Sequence, residues 1–540
     1  MINIKINKKP YAVEKQQTVL EICKKLNIYI PTLCYHEDQK PKSNCRLCLV
    51  EINNKIESSC DILIEENMNI ITNNKKIREY RKTNLELLLS NHNSECTTCG
   101  KNQNCEFQKI SEIIKPESNF KKDTNFPIEN NNYSIIRDIN KCIKCCRCVE
   151  ACDLKILGEQ NRSLELKILP YNNKLNNSKC TYCGQCAIVC PTNAISIKKD
   201  INIVLDMLED ESIYTIVQVA PAIRTSIGEI FNSKDKIYTK KMVSALKRLN
   251  FDKVFDTNFS ADLTIIEESI EFYNRLTKNE NLPMFTSCCP SWINFAEKYH
   301  PEILKNISSC KSPHQMFGAL IKEFYKDKNP FVISIMPCTA KKDEIKREQL
   351  KSDVDIVLTT VELAEILKQK NIDFNSLEDK DFDLPFGISS GAASIFANTG
   401  GVMEAALRTT YEMITNKKLE NLEFKEIRGL NTIKETTINI KGKDIKIAVV
   451  QTLTAAEEII KNKNNYHFIE VMSCLGGCIG GGGQPFTTNK NRKNRIENIY
   501  QIDKTSPFRK SHTNKELEKF YKTFLKDKKF LLHTKYKDQS

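Results

Sequence analysis

The chain has 540 residues, 40% of them apolar and 28% charged, with a formal net charge of +13. That balance describes a globular chain of three or four domains, and no apolar run reaches the ~18 residues needed to span a bilayer. The 23 cysteines, many at Cys-x-x-Cys spacing behind a start without an apolar leader core, favour metal sites over disulfides and predict a cytoplasmic protein.

The alternating runs INIKI, YAV, LCLVEI and NMNIIT predict a small β-rich fold with one helix near Thr18–Leu26. It carries Cys34, Cys45, Cys48 and Cys60, spaced C-x10-C-x2-C-x11-C. Four thiolates at this spacing suit either zinc or a 2Fe–2S cluster. A helical segment, IREYRKTNLELLLS, then leads to His92, Cys96, Cys99 and Cys105. One histidine with three cysteines is a sound zinc set, but its place between other cysteine groups shifts the reading to a His-ligated 4Fe–4S cluster.

Two further runs follow, CIKCCRCVEAC and CTYCGQCAIVCP, each C-x2-C-x2-C-x3-C. In twinned ferredoxin runs the fourth cysteine crosses to the other cluster. One 4Fe–4S cluster is therefore expected on Cys142, Cys145, Cys148 and Cys190, the other on Cys180, Cys183, Cys186 and Cys152. Cys146 stands where that pattern usually has glycine. Several clusters in one chain make an electron relay, and a relay needs a terminus.

After Lys199 the runs IYTIVQVAP, KVFDTNF, FVISIMPC, DVDIVLTT, DIKIAVVQT and HFIEVMSC alternate with amphipathic segments. This predicts α/β layers with largely parallel sheets. Two of the runs stop at a cysteine, Cys338 and Cys474, and ligands in open α/β sheets bind at the carboxyl ends of strands. Cys338, Cys474, Cys478 and one of the adjacent Cys288 and Cys289 are thus expected to converge. The stretch CLGGCIGGGGQP lets backbone approach a bulky group closely. From Phe486 onward there are 15 Lys/Arg against 6 Asp/Glu. No nucleic-acid module accompanies them, and the plainest reading is a solvated basic helix over Lys515–Lys529; a docking face for an acidic partner is the alternative.

The segments TSCCPSW, MPCTAKKDE and EVMSCLGGCIGGGGQP resemble the three signature segments of the iron–iron (FeFe) hydrogenases. The likeness spans nearly the whole chain, most closely to the large monomeric clostridial type with accessory ferredoxin-like domains. It implies a multidomain α+β and α/β protein: a β-grasp 2Fe–2S domain at 1–78, a His/Cys3 4Fe–4S helical segment at 79–121 and a two-cluster ferredoxin domain at 122–199. A two-lobed α/β H-cluster domain at 200–490 and a small-subunit-like tail at 491–540 complete it. The implied cofactors are one 2Fe–2S cluster, three accessory 4Fe–4S clusters and an H-cluster, a 4Fe–4S cubane joined to a two-iron unit with CO, cyanide and an amine dithiolate.

By the same resemblance Cys289, Cys338, Cys474 and Cys478 ligate the cubane, Cys478 bridging to the two-iron unit. Lys341 hydrogen-bonds a cyanide, while Met336, Met472, Ala220 and Pro221 line the pocket. Cys288 passes protons, and Glu268, Ser308, Glu271 and Arg275 carry them to solvent. Helix periodicity disagrees here: Leu263, Ile266, Ile270 and Tyr273 form the opposite face, so amphipathicity alone makes the charged face solvated. Cys310, two residues past Ser308, suits either a protective partnership with Cys288 or plain apolar packing. Expected partners are ferredoxin or a similar small electron carrier, H2 and protons, H-cluster maturation proteins and, in an alternative reading, NAD(P)-linked subunits. No G-x-G-x-x-G fingerprint follows a strand, so a dinucleotide would need another chain. An electron-transfer or iron–sulfur assembly protein without hydrogenase activity is the non-enzymatic alternative, and the intact signature segments argue against it.

Overall fold

A computed structural model describes residues 1–117, 125–162 and 165–540. The expected 121/122 boundary lies outside the described residues. The chain divides into two compact units, the first formed by Met1–Asn131, Ile135–Ser178 and Val189–Ser196, the second by Asn132–Ser134, Lys179–Ile188 and Ile197–Ser540.

In the first unit, strands β1 (Ile2–Ile6), β2 (Lys9–Val13), β3 (Leu49–Ile52), β4 (Lys55–Ser58) and β5 (Asn69–Ile71) make one sheet in the order β2-β1-β5-β3-β4. Along β1, Ile2, Ile4 and Ile6 face inward, as the alternation INIKI dictates. The helix Val19–Lys25 packs on the same core through Val19, Leu20 and Cys23, and Thr18 with Glu21 closes a capping box at its start. Cys23, one of the thiols without a sequence assignment, is thus core filler. Helix Lys75–Leu89 follows, its Arg81 buried with Nη2 donating to the Leu49 and Thr72 carbonyls. Short strands β6 (Ile135–Arg137), β7 (Leu157–Gln160), β8 (Lys167–Pro170) and β9 (Ile195–Ile197) pair as β6 with β9 and β7 with β8.

The second unit has two sheets. Strands β10 (Thr215–Val219), β11 (Lys253–Asp256), β13 (Phe331–Met336) and β14 (Ile356–Thr359) run all parallel in the order β11-β10-β13-β14. Strands β12 (Met284–Phe285), β15 (Ile433–Ile440), β16 (Lys443–Gln451) and β17 (Phe468–Met472) follow the order β12-β17-β16-β15, with only β15 antiparallel. The six apolar runs read from the sequence are strands β10, β11, β13, β14, β16 and β17. Each is buried along its central residues, which is why they read as near-continuous apolar runs. Among the described residues, no helix is long and apolar enough to cross a membrane.

Two expectations fail. The basic helix ends at Thr523, not Lys529, and it is not simply solvated. Leu517 and Leu525 are fully buried, and Phe520 and Phe524 pack with Phe259, Phe324 and Phe386. Alternate helical positions bury an aromatic stripe while the lysines stay in water. The charged face of helix Asn258–Lys278 also departs from its amphipathic reading: Glu268 is fully buried, whereas Tyr273 is 44% exposed. This helix touches helices Pro313–Phe324, Gly391–Ser394, Gly401–Thr415 and Lys515–Thr523, and at Glu268 the face that periodicity gave to solvent meets Ser287, whose Oγ donates to Glu268 Oε1 at 3.4 Å.

Candidate active site and cluster cradles

In the second unit the carboxyl ends of β10, β12, β13 and β17 meet at one cavity. Its lining includes Ala220, Pro221, Cys288, Cys289, Met336, Cys338, Lys341, Met472, Cys474 and Cys478. Each cysteine sits just beyond a strand or on a tight loop, where a short connection fixes it. Cys289 is the residue before helix Pro290–Tyr299 and has extended backbone (φ −99°, ψ 107°). Successive side chains of extended backbone point apart, yet both Cys288 and Cys289 reach the cavity wall.

The Gly-rich loop approaches as closely as its composition suggests. Gly477 adopts φ +84°, and a Cβ there would lie 2.5 Å from the Thr399 backbone nitrogen. A Cβ on Gly481 would lie 2.3 Å from the Pro337 carbonyl oxygen, so the loops carrying Cys478 and Cys338 close on each other.

Burial pushes all four thiols up: Cys338 to about 12, and Cys289, Cys474 and Cys478 in the same direction, with neighbouring cysteines of the set adding to the last two and to Cys338. Such thiols ionise only with a cation to hold, and four soft donors on a largely apolar wall fit an iron–sulfur cubane. Lys341 Nζ donates to Glu344 Oε2 at 2.8 Å, to Ser312 Oγ at 2.9 Å and to the Cys288 carbonyl at 3.3 Å. Glu344 also contacts His314 Nδ1 at 2.9 Å. Burial opposes ionisation of Glu344, but Lys341 and His314 outweigh it and pull the carboxyl down to about 2. Ser312, His314 and Glu344 therefore hold Lys341 in place. The sequence reading missed all three, although Glu344 follows Lys341 at i+3 on one helix.

Behind Cys288 lies a chain of polar groups. Burial, then the charge of Glu271, push Glu268 up to about 8; the Ser308 and Ser287 hydroxyls beside it partly offset this. Burial, then the charge of Glu268, push Cys288 well above the usual thiol range. Ser308 Oγ donates to Glu271 Oε2 at 3.2 Å. Arg275 donates to Glu271 Oε1 at 2.5 Å and to the carbonyls of Asn281, Asn306 and Ile307. Glu271, Arg275, Ser309 and His533 line an open cleft beyond. The sequence reading did not include Ser287, Ser309, Glu267 or His533; the last lies 262 residues beyond Glu271 in the chain.

The run Cys180, Cys183 and Cys186 belongs to the same unit. A Cβ on Gly482 would lie 2.3 Å from the Cys183 carbonyl, and Gln185 Nε2 donates to Cys474 Sγ at 3.3 Å. The second ferredoxin-like run therefore abuts the loop of the main cavity.

In the first unit, side-chain hydrogen bonds couple Cys34 with Cys45 and Cys48 with Cys60, all four buried and unbridged. His92 Nδ1 lies 3.0 Å from the Lys141 carbonyl, the contact that commonly orients a metal-ligating imidazole through its other nitrogen. Cys96 and Cys99 flank a single helical turn, and Cys105 precedes helix Glu106–Ile114. Cys142, Cys145, Cys148 and Cys190 line one cavity. Cys146 has φ +63°, the left-handed region that explains glycine at that place in such runs. Its sulfur contacts Glu159 Oε1 at 3.1 Å and accepts from Asn44 Nδ2 at 3.2 Å. Cys152 follows helix Arg147–Ala151 in the first unit, whereas the three cysteines expected to join it are in the second.

Cys190→Ala is expected to disturb the cluster of Cys142, Cys145 and Cys148, although it lies in the other run. Electron paramagnetic resonance of the reduced protein checks this, and loss of a cluster signal that tracks Cys180→Ala instead would reverse the assignment.

Five family profiles match the chain. Residues 213–482 match the iron only hydrogenase large subunit, C-terminal domain, and 489–539 the iron hydrogenase small subunit. Residues 1–75 match a 2Fe-2S iron-sulfur cluster binding domain, 81–118 the NADH-ubiquinone oxidoreductase-G iron-sulfur binding region, and 174–196 a 4Fe-4S binding domain. The chain is 40% identical to the NADP-reducing hydrogenase subunit HndD of Solidesulfovibrio fructosivorans, over 99% of each chain. It is 38% identical to iron hydrogenase 1 of Clostridium pasteurianum, over 97% of each. A solved structure of the FeFe-hydrogenase HydA1 from Chlamydomonas reinhardtii is similar with a TM-score of 0.55 and 35% identity, covering 63% of this chain and 98% of that one. With the signature cysteines gathered around one cavity and the match running end to end, the chain belongs to the iron-only (FeFe) hydrogenases, oxidoreductases that produce and take up dihydrogen, and it carries accessory 2Fe–2S and 4Fe–4S domains.

Proposed function

We propose that the chain reduces protons to dihydrogen, reversibly and in the cytoplasm, with electrons from ferredoxin or a similar small carrier. One observation carries the catalytic part: the thiols of Cys288, Cys289, Cys338, Cys474 and Cys478 share a cavity whose only nearby ammonium, among its lining residues, is Lys341. Cys289, Cys338, Cys474 and Cys478 would hold the H-cluster, in the cavity that Cys288 also lines. When bound, that group supplies the redox chemistry joining two protons and two electrons.

The chain's own residues do the rest. Lys341, held by Glu344 and Ser312, offers its ammonium to an anionic ligand, and Met336, Met472, Ala220 and Pro221 keep the wall apolar and water out. Cys288 exchanges a proton with the cavity, Glu268 takes it up, and the Ser308 hydroxyl passes it to Glu271 at the solvent end. Arg275 donates to Glu271 and orients it at the solvent end of the route. Cys34, Cys45, Cys48 and Cys60 would hold a 2Fe–2S cluster, His92, Cys96, Cys99 and Cys105 a 4Fe–4S cluster and the twin runs two more, which would supply electron transfer. The division at 1–78, 79–121, 122–199, 200–490 and 491–540 follows these roles. Maturation proteins are required to build the two-iron unit.

A second reading makes the chain the hydrogen-producing subunit of an NADP-linked complex, favoured by its likeness to a protein described as an NADP-reducing hydrogenase subunit. Hydrogen evolution by the purified, matured chain supplied with reduced ferredoxin alone separates the two. Turnover at tens per second or more is expected; none without added NADP-linked subunits would favour the second reading.

A further inference from the structure

We infer that Glu271, Cys310 and His533 form a binding site for a divalent cation of the zinc class, and that its occupancy closes the outer end of the proton route. The closure rests on the route proposed above; the metal site does not.

A carboxylate oxygen of Glu271, the Cys310 sulfur and a ring nitrogen of His533 all lie within 4.8 Å of one another. Zinc binds thiolate at about 2.3 Å, imidazole at about 2.0–2.1 Å and carboxylate at about 2.0–2.2 Å. Ligands around such an ion sit roughly 3–4 Å apart by that geometry, so only a small inward movement is required. The mixed S, N and O set selects zinc over calcium or magnesium, which prefer oxygen alone.

Backbone fixes two of the ligands opposite each other. Cys310 and His533 form an antiparallel bridge, flanked by Lys311 N donating to the Leu532 carbonyl and Thr534 N to the Ser309 carbonyl, both at 2.8 Å. Glu271 enters from helix Asn258–Lys278. Ser309 Oγ already joins the other two side chains, 3.0 Å from Glu271 Oε2 and 2.9 Å from His533 Nδ1. A cation bridging the same two atoms takes over that role as the hydroxyl rotates away.

The local field favours a cation. Besides burial, the charges of Glu268, Glu271 and Glu267 keep the Cys310 thiol protonated. Arg275 is tied to Glu271 and Lys529 lies 3.8 Å from Glu267, and neither reaches the sulfur by a hydrogen bond. Glu271 and His533 line the open cleft, with Cys310 buried behind them, which provides an entry path. On binding, a metal–sulfur bond forms and the thiol proton leaves to solvent, with no change of oxidation state. A Glu271 carboxylate held by the cation no longer accepts a proton from Ser308.

The test uses matured holoenzyme, whose cluster thiols are occupied, titrated with zinc chloride and then with EDTA. One zinc per chain is expected, with reversible loss of at least about nine-tenths of hydrogen turnover. Zinc-edge X-ray absorption should show one sulfur near 2.3 Å with nitrogen and oxygen near 2.0–2.2 Å. Cys310→Ala and His533→Gln, each checked for iron content and zinc-free turnover, should weaken zinc binding at least about tenfold. Zinc bound without a sulfur ligand, or equally well by both variants, overturns the site. Zinc bound with this signature but without inhibition keeps the site and overturns the placing of Glu271 on the proton route.

Discussion

Replacing Cys288 by alanine is expected to reduce hydrogen turnover by about 10²–10⁴, the range for removing a positioned acid–base group, while leaving the iron content and H-cluster spectrum nearly intact. The expectation follows from the division of labour between adjacent thiols. Cys289 is the helix-start residue with extended backbone, and its thiol is coupled electrostatically to Cys338 and Cys478. Cys288 instead feels Glu268 as its largest charged neighbour. Cys289→Ala should therefore release iron, and Cys288→Ala should not. Infrared spectra of the CO and cyanide ligands, recorded alongside turnover for both variants, check the assignment. Loss of the cluster on changing Cys288 would mean the two roles are exchanged.

Glu268→Gln is the second change with a large expected effect, again a turnover loss of about 10²–10⁴ with the clusters retained. Glutamine preserves shape and hydrogen bonding but cannot exchange the proton. The same substitution has a signed effect on stability. Burial and Glu271 raise the carboxyl from the usual 4.5 to about 8. Between those values the folded chain keeps a proton that the unfolded chain has lost. The contribution of Glu268 is thus fully present below about pH 4.5 and is lost as pH rises through about 8, at roughly 1.4 kcal/mol per pH unit. Glu268→Gln removes that loss, so the variant should gain thermal midpoint relative to the native chain between pH 5 and 8. A difference that stays constant over this window would show that Glu268 is ionised when buried.

Much of the site is legible in the sequence. The Cys-x-x-Cys runs identify metal chemistry because thiolates must come close together, and short spacing achieves this locally. The terminal cysteines of FVISIMPC and HFIEVMSC are legible for a similar reason: a buried parallel strand is a continuous apolar run, and ligand residues follow its carboxyl end. TSCCPSW, MPCTAKKDE and SCLGGCIGGGG then specify the family by their order. Sequence by itself determined which cysteines gather and on which strand ends they sit.

Only the tertiary structure decided which charged and aromatic faces are covered. Glu268 lies on a helix face that a periodicity argument assigns to water, because that argument sees one helix and not the segments packed on it. The tail after Lys515 reads as basic, yet Phe520 and Phe524 anchor it in the aromatic cluster of Phe259, Phe324 and Phe386. His533 meets Glu271 and Cys310 through backbone pairing across 223 residues from Cys310, a separation at which local spacing carries no information. Burial and long-range pairing are properties of the whole packed chain, and these set the proton affinities of Cys288, Glu268 and Cys310.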